Sequence, residues 1–329
     1  MRPDEELVGM PELRAAIETL YHEPLLALVG RASEVHRRRH AEGQMQVCSL
    51  LSIKTGGCPE DCAYCPQSAR YTTDVESEAL LDLPEVLDAA RNAKARGATR
   101  FCMGAAWRDV KEGPQFERVL EMVRAIKAEG GLEVCCTLGM LTASQAQRLK
   151  AAGLDAYNHN LDTSPEYYDQ IITTRRYDDR LRTLGHVRDA GISVCCGGIV
   201  GLGESDDDRI GMLHALASLP EPPESIPINA LVPVAGTPLG AQPRVDFWVV
   251  LRMIAVTRLL FPNAMVRLSA GRLELSDAEQ ALCFLAGANS IFAGEKLLTT
   301  PNPEHDADAR LFATLGLAPR AAEPCPVPG

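Results

Sequence analysis

One unit repeats through most of this chain: an amphipathic stretch, a glycine where it ends, then a short β-prone run. In PEVLDAARNAKARGATRFCMG, Gly97 fits the left-handed position beyond a helix end, where a Cβ would be costly. FERVLEMVRAIKAEGGLEVCCTL repeats the unit, with Phe116, Leu120, Val123 and Lys127 at helical spacing. SQAQRLKAAGLDAYNHNL, RLRTLGHVRDAGISVCCGGI and DAEQALCFLAGANSIFAG follow, with Gly153, Gly191 and Gly287 in the same place. The pattern predicts strands near 46–53, 99–104, 133–138, 155–160, 192–197, 226–231, 264–268 and 289–293. Eight strands alternating with helices predict an α/β fold and, by count, a (β/α)8 barrel of the TIM type. Alternation alone does not show closure, so a doubly wound open sheet is the second choice.

Residues 1–40 carry two further helical patterns and are read as a helical N-terminal extension. Residues 41–317 form the expected barrel domain, and the Pro- and Ala-rich stretch 318–329 is an expected disordered tail. Hydrophobic content of 46% and charged content of 23% are ordinary for a soluble globular chain. The net charge of −11 offers no basic footprint for phosphate, and Arg37, Arg38 and Arg39 are read as a solvated helix face. The most apolar stretch, Phe247 to Phe261, is broken by Arg252 and Arg258, which suits a buried-face helix better than a bilayer span. MRPDEELVGMPEL lacks the basic-then-apolar order of a signal peptide. The expectation is a cytoplasmic protein with neither nucleic acid nor membrane as partner.

Eleven cysteines, an odd number without a secretion signal, argue against a disulfide framework and for metal ligation or catalysis. Three of them, Cys58, Cys62 and Cys65, fall in KTGGCPEDCAYCPQS with C-x3-C-x2-C spacing and Tyr64 before the third. The loop follows the first strand at once, on the barrel end where active sites sit. Structural zinc sites are closed by four ligands. A 4Fe-4S cube held by three thiolates instead leaves one iron open, and S-adenosylmethionine can chelate it through its amino and carboxylate groups. The alternative is a zinc loop that borrows a distant His or Cys. Cys48 and Cys283 are read as small buried apolar residues and Cys325 as a tail residue.

Cys102, one of Cys135 and Cys136, and one of Cys195 and Cys196 fall on the second, third and fifth strands. Side chains alternate along a strand, so one member of each doublet faces inward. One inward cysteine on each of three strands points to a second metal site deep in the barrel. On the fourth strand, Asn158, Asn160 and Asp162 share a face if the strand runs that far, with His159 opposite. A ribose or a urea-like ring would satisfy such buried groups, although Asp162 or Thr163 could also cap a helix. GGIVGLGES ends the fifth strand as a glycine-rich loop suited to close backbone approach to a cofactor, with Ser205 and Asp208 as a capping box. Arg267 lies on the seventh strand, facing inward or outward.

CPEDCAYCPQS, RFCMGAAWR, YNHNLDTSPE, GGIVGLGE, PINALVPVAGTPL, VRLSAGR and GANSIFAGEKLLTTPNPE together resemble the biotin synthase family, within the radical S-adenosylmethionine superfamily. The resemblance runs from about Cys48 to Gly316. It implies that Cys58, Cys62 and Cys65 hold a 4Fe-4S cluster, and that Cys102, Cys135, Cys195 and Arg267 hold a 2Fe-2S cluster. Cys136 and Cys196 become packing residues. Tyr64, Asn160, Asp162 and Arg180 would meet S-adenosylmethionine, with Asn160 and Asp162 at the ribose and Arg180 at the methionine carboxylate. Asn160 and Asn229 would meet the dethiobiotin ring, and Arg100, Thr299 and Thr300 its carboxylate tail. The implied reaction is radical insertion of cluster sulfur into dethiobiotin. A flavodoxin- or ferredoxin-type donor and a homodimer are the implied partners. Two other readings stand beside this one: a radical S-adenosylmethionine enzyme without the second cluster, and a zinc-binding structural protein.

Overall fold

In a computed structural model of the chain, residues 10–294 and 296–321 are described; Cys325 and most of the expected tail lie outside them. The strands are β1 (Gln44–Lys54), β2 (Arg100–Ala105), β3 (Glu133–Thr137), β4 (Ala156–Asn158), β5 (Ser193–Cys195), β6 (Gly198–Val200), β7 (Ser225–Ala230), β8 (Met265–Leu268) and β9 (Ser290–Phe292). All pair in parallel, and β9 returns to β1 through Gln46–Ser290 and Cys48–Phe292. This ring closure decides for the (β/α)8 barrel over the open sheet. The helices outside it are α3 (Leu83–Ala95), α4 (Pro114–Glu129), α5 (Ala143–Ala151), α6 (Tyr168–Ile171), α7 (Tyr177–Asp189), α8 (Asp206–Ala217), α9 (Phe247–Leu260), α10 (Asp277–Leu285) and α11 (His305–Leu315). Gly97, Gly153, Gly191 and Gly287 all have positive φ, as their place between helix and strand requires. Capping boxes at Asp82–Glu85, Thr142–Gln145, Ser205–Asp208 and Ser276–Glu279 start four of the helices. Each cap is worth about 0.5–2 kcal/mol.

The fifth barrel position is split, which the pattern did not predict. β5 and β6 both pair with β7, and the glycine-rich loop begins only after Val200. The cause is steric. A Cβ on Gly197 would lie 2.0 Å from the Pro227 carbonyl oxygen, and one on Gly198 would lie 2.8 Å from the Asp162 carbonyl oxygen. These glycines therefore serve the approach of protein backbone rather than of a cofactor. They let the chain beyond β4 rejoin the sheet, where Leu161 N donates to Gly197 O at 3.0 Å and Ile199 N to Asp162 O at 2.8 Å. Gly197→Ala should destabilise the fold by about 3 kcal/mol, the upper end of ordinary overpacking costs, because the clash is with backbone. Urea unfolding monitored by circular dichroism measures it.

The extension forms α1 (Met10–Tyr21) and α2 (Leu25–Arg39), which pack on α8 and α9. That contact explains why α9 is apolar nearly all round: the barrel covers one side and α2 the other. Its two arginines act as connectors. Arg252 Nη1 donates to Glu23 O at 2.8 Å. Arg258, fully buried, donates to the carbonyls of Gly287, Pro262 and Ala264 at 2.8 to 2.9 Å, satisfying chain ends around it. Among the described residues no helix is long and apolar enough to cross a membrane. Ala318 and Pro319, assigned by composition to a disordered tail, form a short strand beside Gln44 and Met45 at the start of β1. The first two residues of the expected tail are therefore ordered against the barrel.

Candidate active site

The three-cysteine loop leaves the C-terminal end of β1 and is tied down by its own backbone. Cys58 N donates to Gln67 O at 2.9 Å, Ala69 N to Cys58 O at 2.7 Å and Cys65 N to Cys62 O at 2.9 Å. Asp61 anchors it to the segment before α7, accepting from Thr173 N at 3.0 Å and Thr174 Oγ1 at 2.9 Å. Burial opposes the Asp61 charge, but the hydrogen bonds from Thr173 and Thr174 outweigh it and hold the carboxyl below its ordinary value. The thiols go the other way. Burial pushes Cys58 up, Cys62 up to about 11 and Cys65 up to about 12. Buried thiols of this kind become thiolates when a metal displaces their protons. Arg175 lies beside them, with Nη2 4.0 Å from Cys62 Sγ. Its buried Nε has no hydrogen-bond partner.

A cavity of about 320 Å³ runs from this loop into the barrel. Cys65 and Tyr64 line its mouth, and Cys102, Cys135 and Arg267 line its depth. The doublets resolve accordingly: Cys135 faces the interior, whereas Cys136 and Cys196 pack in the outer core with the helices. Cys195 faces inward too, 3.3 Å from Asn158 Nδ2 and 3.5 Å from Arg267 Nη1. Arg267 is buried and inward, with Nε donating to Ser290 Oγ at 3.0 Å and its guanidinium 4.6 Å from the Phe292 ring centroid. Cys102, Cys135, Cys195 and Arg267 are thus brought together.

Cys48 is buried, as expected, and its sulfur lies in this chamber beside Cys102 and Cys135, 3.3 Å from Arg267 Nη2. Burial opposes a Cys48 thiolate, yet a hydrogen bond from Cys102 and the charges of Arg267 and Arg100 bring it down to about 6. Arg100 is also here rather than with Thr299 and Thr300. It opens β2 level with Cys48 and Glu133, is buried, and donates to Glu133 at 2.8 Å. Arg100 starts β2 and does not line the cavity that Thr299 and Thr300 line.

The polar wall comes from the chain after β4. That strand stops at Asn158, so alternation fails and buried His159 lines the cavity together with Asn158 and Asn160. Burial and then the charges of Arg180 and Arg175 keep His159 neutral. Asp162 is not a helix cap. It adopts φ 68°, a left-handed backbone unusual for a non-glycine residue, and accepts from Tyr64 Oη at 2.8 Å and from Arg180. Arg180 also donates to Tyr168 Oη at 2.8 Å and to the Asn160 carbonyl. Asn229 lines the same cavity, its amide joining Gly198 O at 3.0 Å to Ala270 N at 3.3 Å. Thr299 and Thr300 line the mouth on a strap formed by β10 (Lys296–Leu297) and β11 (Thr300–Pro301). The strap seats Leu298 against Gly104, where a Cβ would lie 2.6 Å from Leu298 Cδ2.

Among the described residues no three His, Cys, Asp or Glu side chains converge closely enough to hold a single metal ion. An iron–sulfur cluster asks for wider spacing, because each thiolate binds a different iron. Three thiols on one loop, Cys58 and Cys62 buried and Cys65 half-buried, and three more beside an inward arginine, are donor sets of that kind.

The Radical SAM superfamily pattern matches residues 52–216, and the Biotin and Thiamin Synthesis associated domain matches residues 227–318. The chain is 62% identical to the biotin synthase of Cytophaga hutchinsonii over 92% of this chain and 90% of that one. It is 60% identical to the mitochondrial biotin synthase of Arabidopsis thaliana, covering 93% of this chain and 81% of that one. In three dimensions it is similar to methylornithine synthase, with a TM-score of 0.79 at 19% identity over 97% of this chain and 96% of that one; this likeness speaks to the fold alone. The chain belongs to the biotin synthase family of the radical S-adenosylmethionine superfamily.

Proposed function

We propose that the chain converts dethiobiotin to biotin with S-adenosylmethionine, a 4Fe-4S cluster and a 2Fe-2S cluster. The observation that carries this reading is the single cavity that touches both cysteine groups. Cys58, Cys62 and Cys65 hold the first cluster; Cys102, Cys135, Cys195 and Arg267 hold the second. When bound, the first supplies the electron that cleaves S-adenosylmethionine and the second supplies the sulfur. The chain's own task is placement and exclusion of water. Tyr64 and Arg180 fix the Asp162 carboxylate from two sides, so that with Asn160 it presents acceptors to the ribose hydroxyls. Arg180 spends its donors on Asp162, Asn160 and Tyr168, and Arg175, whose Nε lies 4.0 Å from Glu60 Oε2, stands near as a second cation for the methionine carboxylate. Asn160 and Asn229 suit the ureido ring, and Thr299 and Thr300 the carboxylate tail. Leu50, Ile199 and Phe292 supply apolar wall between the polar groups and shield a reactive carbon radical. The proposed setting is a cytoplasmic homodimer fed by a flavodoxin- or ferredoxin-type donor.

The test is anaerobic incubation with dethiobiotin, S-adenosylmethionine and a reductant, scored for biotin by mass spectrometry. Cys195→Ala separates the two sites. It should lose the iron and sulfide of the second cluster, keep the first, keep reductive cleavage of S-adenosylmethionine, and form no biotin. Biotin formed at the unsubstituted rate would rule out cluster sulfur, and colourless protein with stoichiometric zinc would overturn the whole reading.

A further inference from the structure

The chamber at the depth of the cavity holds more donors than a 2Fe-2S cluster has terminal positions. Four are needed, whereas Cys102, Cys135, Cys195, Arg267 and Cys48 make five. Cys48 is completely buried on β1, next to both β2 and β9 in the closed ring. Its sulfur lies 3.3 Å from Arg267 Nη2, and Cys195 Sγ lies 3.5 Å from Nη1 of the same guanidinium. Each terminal nitrogen of the arginine thus lies against a different thiol. Gln46 and Ser290 fix it from below: Ser290 Oγ donates to Gln46 Oε1 at 3.0 Å, and Arg267 Nη2 reaches the same oxygen at 3.4 Å. Thiolate is the softer and stronger ligand for cluster iron than a neutral nitrogen.

We propose that Cys48 is a fifth donor at the second metal site, able to take over the coordination position of Arg267. The inference rests on the two-cluster reading above. In such an exchange the Cys48 sulfur would take as a thiolate the position that the Arg267 nitrogen gives up. The released guanidine would take up one proton, from the thiol where Cys48 still carries it and otherwise from solvent, so no electron would be gained or lost.

The test compares reconstituted unsubstituted protein, Cys48→Ala, Arg267→Met and the double variant. The readouts are iron and sulfide per chain and the reduction potential of the second cluster, with circular dichroism and the first cluster as checks of folding. Arg267→Met should keep the second cluster at a lower potential, because thiolate replaces neutral nitrogen. Adding Cys48→Ala should remove that iron or shift its potential again. The proposal is overturned if Arg267→Met loses the second cluster, or if it and the double variant match in iron content and potential. Unsubstituted protein without any second cluster would overturn the two-cluster reading and this one together. Should Arg267→Met not fold, Arg267→Gln with and without Cys48→Ala makes the same comparison.

Discussion

Cys62→Ala protein, reconstituted anaerobically with iron and sulfide, should cleave no S-adenosylmethionine above the uncatalysed background, a loss of at least about 10⁶-fold. The reasoning is local. The loop is held by backbone hydrogen bonds and by Asp61, none of which uses the Cys62 sulfur. Substitution therefore leaves the loop in place and removes one of its three thiols. Two thiols on a loop with no fourth cysteine cannot keep a cube in register with the cavity mouth. Absorbance near the charge-transfer bands, iron content and 5′-deoxyadenosine release are the measurements. Retained cleavage would mean that the open iron is not where Cys58, Cys62 and Cys65 place it. The second cluster should be unaffected, because Cys62 packs with Ile171, Ile172 and Leu202 rather than with the chamber.

The second large effect is on stability and binding together. Asp162→Ala leaves Arg180 buried without its carboxylate, which costs about 3–5 kcal/mol. Urea unfolding should show the midpoint fall while the slope stays unchanged. Asp162 also faces the cavity, so affinity for S-adenosylmethionine should fall as well, read by calorimetry on the reconstituted protein. Asp162→Leu combined with Arg180→Met separates the roles. An apolar pair can recover part of the stability of a buried ion pair, less the strain of leucine at the left-handed position 162, but it offers the ribose no acceptor. Recovered stability with lost affinity is the expected result. If affinity returned with stability, Asp162 would be a structural residue only.

The barrel was legible because each helix–glycine–strand unit states its own geometry: amphipathic spacing, a residue free of Cβ, then a β-prone run. The Cys135–Cys136 and Cys195–Cys196 doublets were legible to within one residue, since alternation guarantees an inward member without naming it. Nothing in QVCSLLSI marks which buried space Cys48 faces, because Gln46, Ser49 and Ser52 stand three apart and give no period of two. The depth of Arg100 in the barrel was not legible either. Its strand is right, but a motif does not tell how far along the barrel axis a side chain lies. Arg175 is one of three arginines in TTRRYDDR, and only the tie between Asp61 and Thr174 turns it over the loop. The break between β5 and β6 depends on Pro227, thirty residues on, which no local pattern registers.

The short pairing of Ala318 and Pro319 with Gln44 and Met45 has a practical side. It fastens the end of the described chain to the floor of the barrel, at the pole opposite the opening through which small molecules enter. A surface tether, reporter or electrode linker joined at that end would leave the entrance unobstructed. One joined near Thr300 would sit on the rim itself.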